Sequence, residues 1–534
     1  MATKQRAALG LDFGTESIRA LLVDLKGTEL ATSVVPFRHG QILETLPSSG
    51  QRLPTDYALQ HPQDWIDSAS EAVQQSLQKA GLPGENVISI GVDFTSCTML
   101  PTLRDGTPMC QLEEWASHIF AWPRLWKHHG AKTQTDRLNA VARQRQEPWL
   151  ARYGGIIGLE WFFPKVLEAI EEDDEVADAT EVWLEAGDWF VWRLVGGSAE
   201  EIPRSTCQAG YKAMWSRASG YPSEEYFNAI DSRLSKVTRE KLPGRYLSPG
   251  TSAGALCEEM ASRMGLRAGT PVSTAIIDAH AGVPGAGAPE EGTLVMVLGT
   301  SSCHMPNARQ AQIVSGVAGV GEAGCLPGVN GYETGRAAVG DAFDWVRRLT
   351  GEARFDRLDA EARRLPPGSE GVLCLDWLNG CRTPLMDGHL RGAYQGLNLS
   401  HHAGHLYRAT LEASAYGLRW IVELLRDHSV PVNRFIATGG LPHHNPLLNQ
   451  IYADVLGETI EIHPSQQGPA LGAAVLGALS AGEEVTGFRD AVEAMQAMAN
   501  RELSPVLPQS ENREAYAKCY RQYREWADSY QATT

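Results

Sequence analysis

The chain carries two turns of the same chemistry, Asp12-Phe13-Gly14-Thr15-Glu16-Ser17 and Gly299-Thr300-Ser301-Ser302, each at the end of an apolar run. Residues 7–11 lead through the first turn into a second apolar run, 18–23, with Asp24 and Gly27 as the next turn signals, so this segment reads as a β-hairpin. Residues 293–298 reach their Gly-Thr-Ser-Ser turn in the same way and predict a second hairpin. Backbone N–H groups at glycine-rich turns, with Thr and Ser hydroxyls beside them, suit phosphate oxygens. Only the first turn adds a carboxylate, Asp12, which suits Mg²⁺ because that ion takes oxygen ligands and few protein groups.

A chain of 534 residues exceeds what one hydrophobic core usually serves, so two large lobes are expected. The net charge of −17 and the lack of a Lys/Arg tract exclude nonspecific nucleic-acid binding. Nine cysteines, scattered without CxxC pairs, read as reduced cytosolic thiols. Residues 1–6 are basic, but no signal-type apolar stretch follows, and no run approaches the roughly 20 apolar residues of a membrane span. The expectation is a soluble cytoplasmic protein without a membrane partner.

A polar stretch, 39–55, precedes a predicted amphipathic helix at 62–79 with Trp65, Ala69, Val73 and Leu77 on one face. A buried strand at 86–92 ends in Asp93-Phe94-Thr95-Ser96-Cys97-Thr98, a polar strand end able to face a cleft. Residues 111–155 are rich in Trp, His and Arg and give no clear periodicity. The segment 183–194 reads as a strand passing into a helix, and 271–277 as one apolar strand ending at Asp278. A small-residue tract, 285–292, marks the boundary between lobes 1–286 and 287–534. Beyond it, a long helix is predicted at 407–425, and a strand at 434–438 opens into Gly439-Gly440-Leu441-Pro442. A small-residue helix at 468–474 allows close approach by another backbone or a ligand, and a polar helix with recurring Tyr spans 512–532, packing on the second lobe.

Several fingerprints are eliminated. No GxxxxGK[ST] loop is present. Gly319-Val320-Gly321-Glu322-Ala323-Gly324 matches GxGxxG, but Cys325-Leu326-Pro327-Gly328 follows where a dinucleotide fold needs a helix. Asp12-Phe13-Gly14 has no HRD segment before it, so it is no protein-kinase signature. His401 and His405 have i, i+4 spacing without the HExxH glutamate, and read as solvent or capping histidines.

The remaining constellation resembles the FGGY carbohydrate kinases along essentially the whole chain. It runs from Leu11-Asp12-Phe13-Gly14 through Gly91-Val92-Asp93-Phe94-Thr95, Leu125-Trp126-Lys127, Gly158-Leu159-Glu160-Trp161-Phe162, Glu185-Ala186-Gly187-Asp188-Trp189 and Ala209-Gly210-Tyr211-Lys212. It continues through Asp278-Ala279-His280, Asp376-Trp377-Leu378-Asn379-Gly380-Cys381-Arg382-Thr383-Pro384, Ala437-Thr438-Gly439-Gly440 and Ala470-Leu471-Gly472-Ala473-Ala474. The Leu-Trp-Lys and Trp-Leu-Asn-Gly-x-Arg-Thr-Pro blocks are similar to the ribulokinase branch of that family. The glycerol and xylulose kinases carry Asp-Gln where this chain reads Asp278-Ala279, so their pockets fit less well. Two histidine pairs, His128-His129 and His443-His444, are departures without an assigned role.

The resemblance implies an α/β fold of two duplicated actin-like ATPase lobes, ribonuclease H-like, with a cleft between them. It implies ATP as phosphoryl donor, Mg²⁺, and a ketopentose, with L-ribulose phosphorylated on its terminal primary hydroxyl to L-ribulose 5-phosphate. Asp278, at a strand end, is the candidate general base, with a helix N-cap as its structural alternative. Ser96, Lys212, Asp278 and Glu333 line the sugar site by resemblance, although Lys212 also reads as a solvated lysine and Glu333 as a first-turn helix residue. The resemblance further implies that Asp12 organises Mg²⁺, that Thr15, Gly299 and Thr300 face phosphates, with ordinary hairpin-turn chemistry as the structural alternative, and that Gly439, Gly440 and Asn445 form the adenine side. Alternatives left open are a kinase for D-ribulose, xylulose or ribitol, an actin-like ATPase without sugar kinase activity, and an NAD oxidoreductase. A homodimer or higher homo-oligomer fits the resemblance.

Overall fold

In the computed structural model, which describes residues 5–499 and 502–531, the strand Ala7–Phe13 is buried along its whole length. It pairs antiparallel with Ser17–Asp24 and parallel with Val87–Phe94. The first sheet runs Glu29–Pro36, Ser17–Asp24, Ala7–Phe13, Val87–Phe94, Pro271–Ser273, Ser252–Ala255, and Ile276–Ile277 also lies parallel to Val87–Phe94. The second runs Gly319–Glu322, Asn330–Arg336, Ser302–Ala308, Thr293–Leu298, Arg434–Thr438, Ile460–Ile462, Ser504–Val506. Both sheets put a hairpin and a third antiparallel strand on one side and parallel strands on the other. The duplication expected from the two turns is therefore a duplication of topology.

The expected strand 271–277 is divided. Thr274 sends both its backbone N–H and its hydroxyl to the carbonyl of Thr251, at 3.0 Å each, and this interrupts the ladder between Pro271–Ser273 and Ile276–Ile277. The amphipathic helix is Pro62–Ala80, closed by Gly81 in the left-handed region, with Trp65, Ala69, Val73 and Leu77 all buried. The unassigned segment holds short 3₁₀ elements, the longest Pro148–Tyr153, and the helix Lys132–Gln144.

The helix Gly468–Ser480 belongs to the second half yet lies on the first sheet. A Cβ at Gly10 would stand 1.9 Å from the Ala470 carbonyl oxygen, and one at Gly91 1.7 Å from that of Ala473. The same helix meets Asp278–Gly285 backbone to backbone, since a Cβ at Gly472 would lie 1.8 Å from the Ala281 oxygen. The core at this junction mixes Ala8, Val23 and Ile277 with Val295, Ile436 and Leu471. The C-terminal helix is Arg513–Gln531, and Tyr516, Tyr520 and Tyr523 enter the second core; the expected last residue, Ala532, lies outside the described residues. Among the described residues no helix is long and apolar enough to cross a membrane.

The glycine motif at 319–324 forms an edge strand and a turn rather than a dinucleotide loop. Its glycines make room for a ring: a Cβ at Gly321 would stand 2.7 Å, and one at Gly324 2.4 Å, from Tyr211. His402 caps the helix Ala403–Asp427 with His405, whose Nδ1 accepts the His402 N–H at 3.2 Å. That bond places the neutral ring's proton on Nε2, 3.1 Å from Glu370, which fits the capping reading.

Candidate active site

Three parallel strands of the first sheet end at carboxylates. Asp12 and Asp93 face each other in register across Ala7–Phe13 and Val87–Phe94, and Asp278 follows directly on Ile277, the partner of Phe94. Asp12 lies 3.5 Å from the guanidinium of Arg19; burial raises its carboxyl, and Arg19 draws it partly back. Asp93 is fully buried, neither oxygen has a hydrogen-bond donor, and burial with the charges of Asp12 and Asp278 pushes it well above the usual carboxylate range. Asp278 is half-buried and accepts the N–H of Ala279 at 2.7 Å. Burial first, and Asp12 and Glu333 in addition, push it up to about 7, against the pull of that N–H and Arg19. Asp278 is the first helical residue of Asp278–Gly285 rather than its N-cap, which is Ile277.

Both glycine-hydroxyl turns sit at strand ends of their sheets. Thr15 is half-buried, and its hydroxyl accepts the indole N–H of Trp126 at 3.0 Å, leaving its own O–H to donate elsewhere. The Leu-Trp-Lys block thus acts on the first turn. In the second turn Gly299 donates its N–H to Ser301 O at 3.0 Å, and the carbonyls of Gly299 and Thr300 accept from Gly340, Val339 and Asp341. Thr300 is the exposed residue there.

Of the residues expected at the sugar, Lys212 ends the helix Thr206–Lys212 and Glu333 lies on Asn330–Arg336. Their side chains meet at 2.7 Å, both buried, so Lys212 is not a solvated lysine and Glu333 is not a first-turn helix residue. Burial opposes the Glu333 charge, but Lys212, His280 and Arg382 outweigh it and hold the carboxyl at about 2. His280 Nε2 is 3.6 Å from Glu333, its ring packs on Tyr211, and burial lowers it to about 4. Ser96 is half-buried at the end of Val87–Phe94, beside Cys97 at φ +56°. Lys165 fixes that turn by donating to the carbonyls of Cys97, at 2.7 Å, and Leu125, at 2.8 Å.

The nucleotide-side expectations separate. Gly439 has φ +92°, and a Cβ there would meet the Leu298 carbonyl oxygen at 2.6 Å, so its glycine serves the packing of two strand ends. A Cβ at Gly440 meets nothing within 4 Å, so this position faces open space. Asn445 caps Pro446–Leu456 by accepting the Leu448 N–H and donates to Tyr407 Oη, both at 3.0 Å. His128 is buried against Glu168 at 2.8 Å, a contact within the first lobe. His444 is exposed.

Residues 7–285 match the N-terminal domain, and residues 294–481 the C-terminal domain, of the FGGY family of carbohydrate kinases. The chain belongs to this family. Proteins named ribulokinase are similar to this FGGY kinase over nearly its full length. That of Anoxybacillus flavithermus is 42% identical, covering 98% of this chain and 94% of its own. That of Mycolicibacterium smegmatis is 40% identical, covering 97% and 93%. Among solved structures, a xylulose kinase from Rhodospirillum rubrum superposes with TM-score 0.78 at 23% identity over 99% of both chains, a likeness of fold.

Two features of this cluster in the FGGY kinase escaped the sequence reading. Asp93 was seen only as a polar strand end, although a carboxylate closing an apolar strand parallel to that of Asp12 is a readable signal. Arg382, within the Trp-Leu-Asn-Gly-x-Arg-Thr-Pro block, donates to Ser302 O at 2.8 Å and lies 3.8 Å from Glu333. It joins the base of the second turn to Glu333, a link that no local pattern announces.

Proposed function

We propose that this FGGY kinase transfers the γ-phosphoryl group of ATP to the terminal primary hydroxyl of a 2-ketopentose, L-ribulose, giving L-ribulose 5-phosphate and ADP. The observation that carries the reading is Asp278: a strand-end carboxylate, beside Asp12 and within the field of Glu333, held near pH 7 where a general base works best. Its oxygen takes the hydroxyl proton as the sugar oxygen bonds to the γ-phosphorus, and the bond from that phosphorus to the bridging oxygen breaks to release ADP. The relatives named ribulokinase support L-ribulose as the sugar.

Glu333 and Lys212 present a fixed acceptor and donor pair to the sugar hydroxyls, with Ser96 at the neighbouring strand end. Such a site discriminates because a wrong sugar leaves buried polar groups unpaired. Thr15 and Thr300 donate to phosphate oxygens from the two lobes, 1–286 and 287–534, and Gly299 shapes the second turn. Gly440 admits the adenine, while Gly439 and Asn445 set the shape of the surrounding loop. Asp12 offers carboxylate oxygens, shared with the Arg19 guanidinium at 3.5 Å, and suits Mg²⁺, which when bound neutralises phosphate charge. The nine free cysteines support a cytoplasmic setting.

The product decides between this and a kinase for another ketose or polyol. Phosphorus and carbon NMR of the reaction with L-ribulose and MgATP should place the phosphate on C5. A phosphate on C1, or ADP release that does not depend on sugar, removes the reading.

A further inference from the structure

Asp93 has no hydrogen-bond donor that accounts for its burial; the side chain it meets is another carboxylate, that of Asp12. Its side chain is 0% exposed, and neither carboxylate oxygen receives a hydrogen bond. The charged groups whose fields reach it are Asp12 and Asp278, both of its own sign, and Arg19, whose guanidinium sits on Asp12. A carboxylate buried without donors is costly, and two like charges beside it add to the cost. Structural aspartates at strand ends normally cap a helix or a turn; the backbone N–H that follows this strand, that of Thr95, goes to Phe13 O at 3.2 Å instead.

Two carboxylates in contact are reconciled by one shared proton or by one bound cation. We propose that Asp93, with Asp12, is a ligand of the divalent metal, so that two adjacent parallel strands supply two carboxylates to one ion while Asp278 remains the base. The register fixes the pair: Asp12 and Asp93 are direct neighbours, so their side chains leave the same face of the sheet at the same level. Mg²⁺ takes oxygen ligands and is commonly held by one or two carboxylates plus substrate phosphates, which matches this pair beside the first phosphate turn. The assignment rests on the MgATP reading above, and it adds a ligand that the turn sequence around Asp12 does not contain.

Asn is an isostere of a protonated Asp, so Asp93→Asn separates a metal ligand from a neutral spacer. Mn²⁺ binding to the full chain with ADP, followed by electron paramagnetic resonance, should weaken about tenfold or more in Asp93→Asn, the scale of losing a group that organises a metal. ADP binding without metal should be unchanged. Equal Mn²⁺ affinity in Asp93→Asn and the wild type overturns the assignment and leaves the kinase reading intact. A wild type that binds no Mn²⁺ with ADP overturns both. Should Asp93→Asn not fold, Asp93→Cys provides an independent test, because a thiolate ligand favours soft ions. Its affinity for Cd²⁺ relative to Mn²⁺ should rise about tenfold or more over the wild type. An unchanged ratio contradicts the proposal.

Discussion

Lys212 Nζ lies 2.7 Å from Glu333 Oε1, and the pair joins a helix of the N-terminal half to a strand of the second sheet. Both groups are buried, so the contact ties the halves together, and it does so at the proposed sugar site. Removing one partner strands a charge, which typically costs roughly 3–5 kcal/mol. Lys212→Met and Glu333→Gln should each lower stability in denaturant unfolding, and Lys212→Met more, because Gln still accepts from the ammonium. The double variant Lys212→Met/Glu333→Leu should recover much of the stability but none of the sugar turnover. Full recovery of both would deny the pair a role in sugar binding.

Asp278→Asn cannot accept the hydroxyl proton, and its turnover should fall by about 10² to 10⁴. MgADP affinity, read by calorimetry, should hold. Turnover close to wild type with intact nucleotide binding would remove Asp278 from the base role.

The same carboxyl makes a stability prediction of definite sign. Its folded-state value is raised to about 7 from an ordinary 3.8, so between these limits the folded chain keeps a proton that the unfolded chain releases. Its contribution therefore weakens stability as pH climbs through that window. Asp278→Asn should be more stable than wild type at pH 8, by about 1–3 kcal/mol, and this gain should vanish near pH 4. Without added metal, thermal melts across the range check it; a constant difference at all pH values would contradict the raised value. In turnover, kcat/KM for sugar should fall as pH drops below about 7.

Gly439 and Gly440 should respond differently to valine. At Gly439 the side chain would strike the Leu298 backbone from a left-handed conformation, so Gly439→Val should lower stability and all activity together. Gly440→Val enters open space and should raise KM for ATP far more than KM for sugar. An effect on sugar alone would place the adenine elsewhere.

The hairpins were legible because they are local: an apolar run, a Gly-Thr turn and a partner strand lie within one short segment. The helix Pro62–Ala80 was legible for the same reason, with Trp65, Ala69 and Val73 on one face. Relations between distant segments were not. Lys212 also read as a surface lysine until Glu333 was placed beside it, and Asp93 read as a strand end until register set it against Asp12. The small-residue helix announced close approach but not its target, the backbone of Gly10 and Gly91 in the other half. Trp126 gave no local sign that its indole would hold Thr15.

Substrate identity is the central claim, and initial rates at subsaturating sugar and saturating MgATP test it most directly. L-ribulose should give a higher kcat/KM than D-xylulose or glycerol. Related 2-ketopentoses should be tolerated, since one inverted hydroxyl disturbs one hydrogen bond worth roughly 0.5–1.5 kcal/mol. Glycerol should be far poorer, because it leaves Glu333 and Lys212 without partners from the substrate. If D-xylulose or glycerol exceeds L-ribulose by about tenfold, a difference near 1.4 kcal/mol, the assignment to L-ribulose is contradicted.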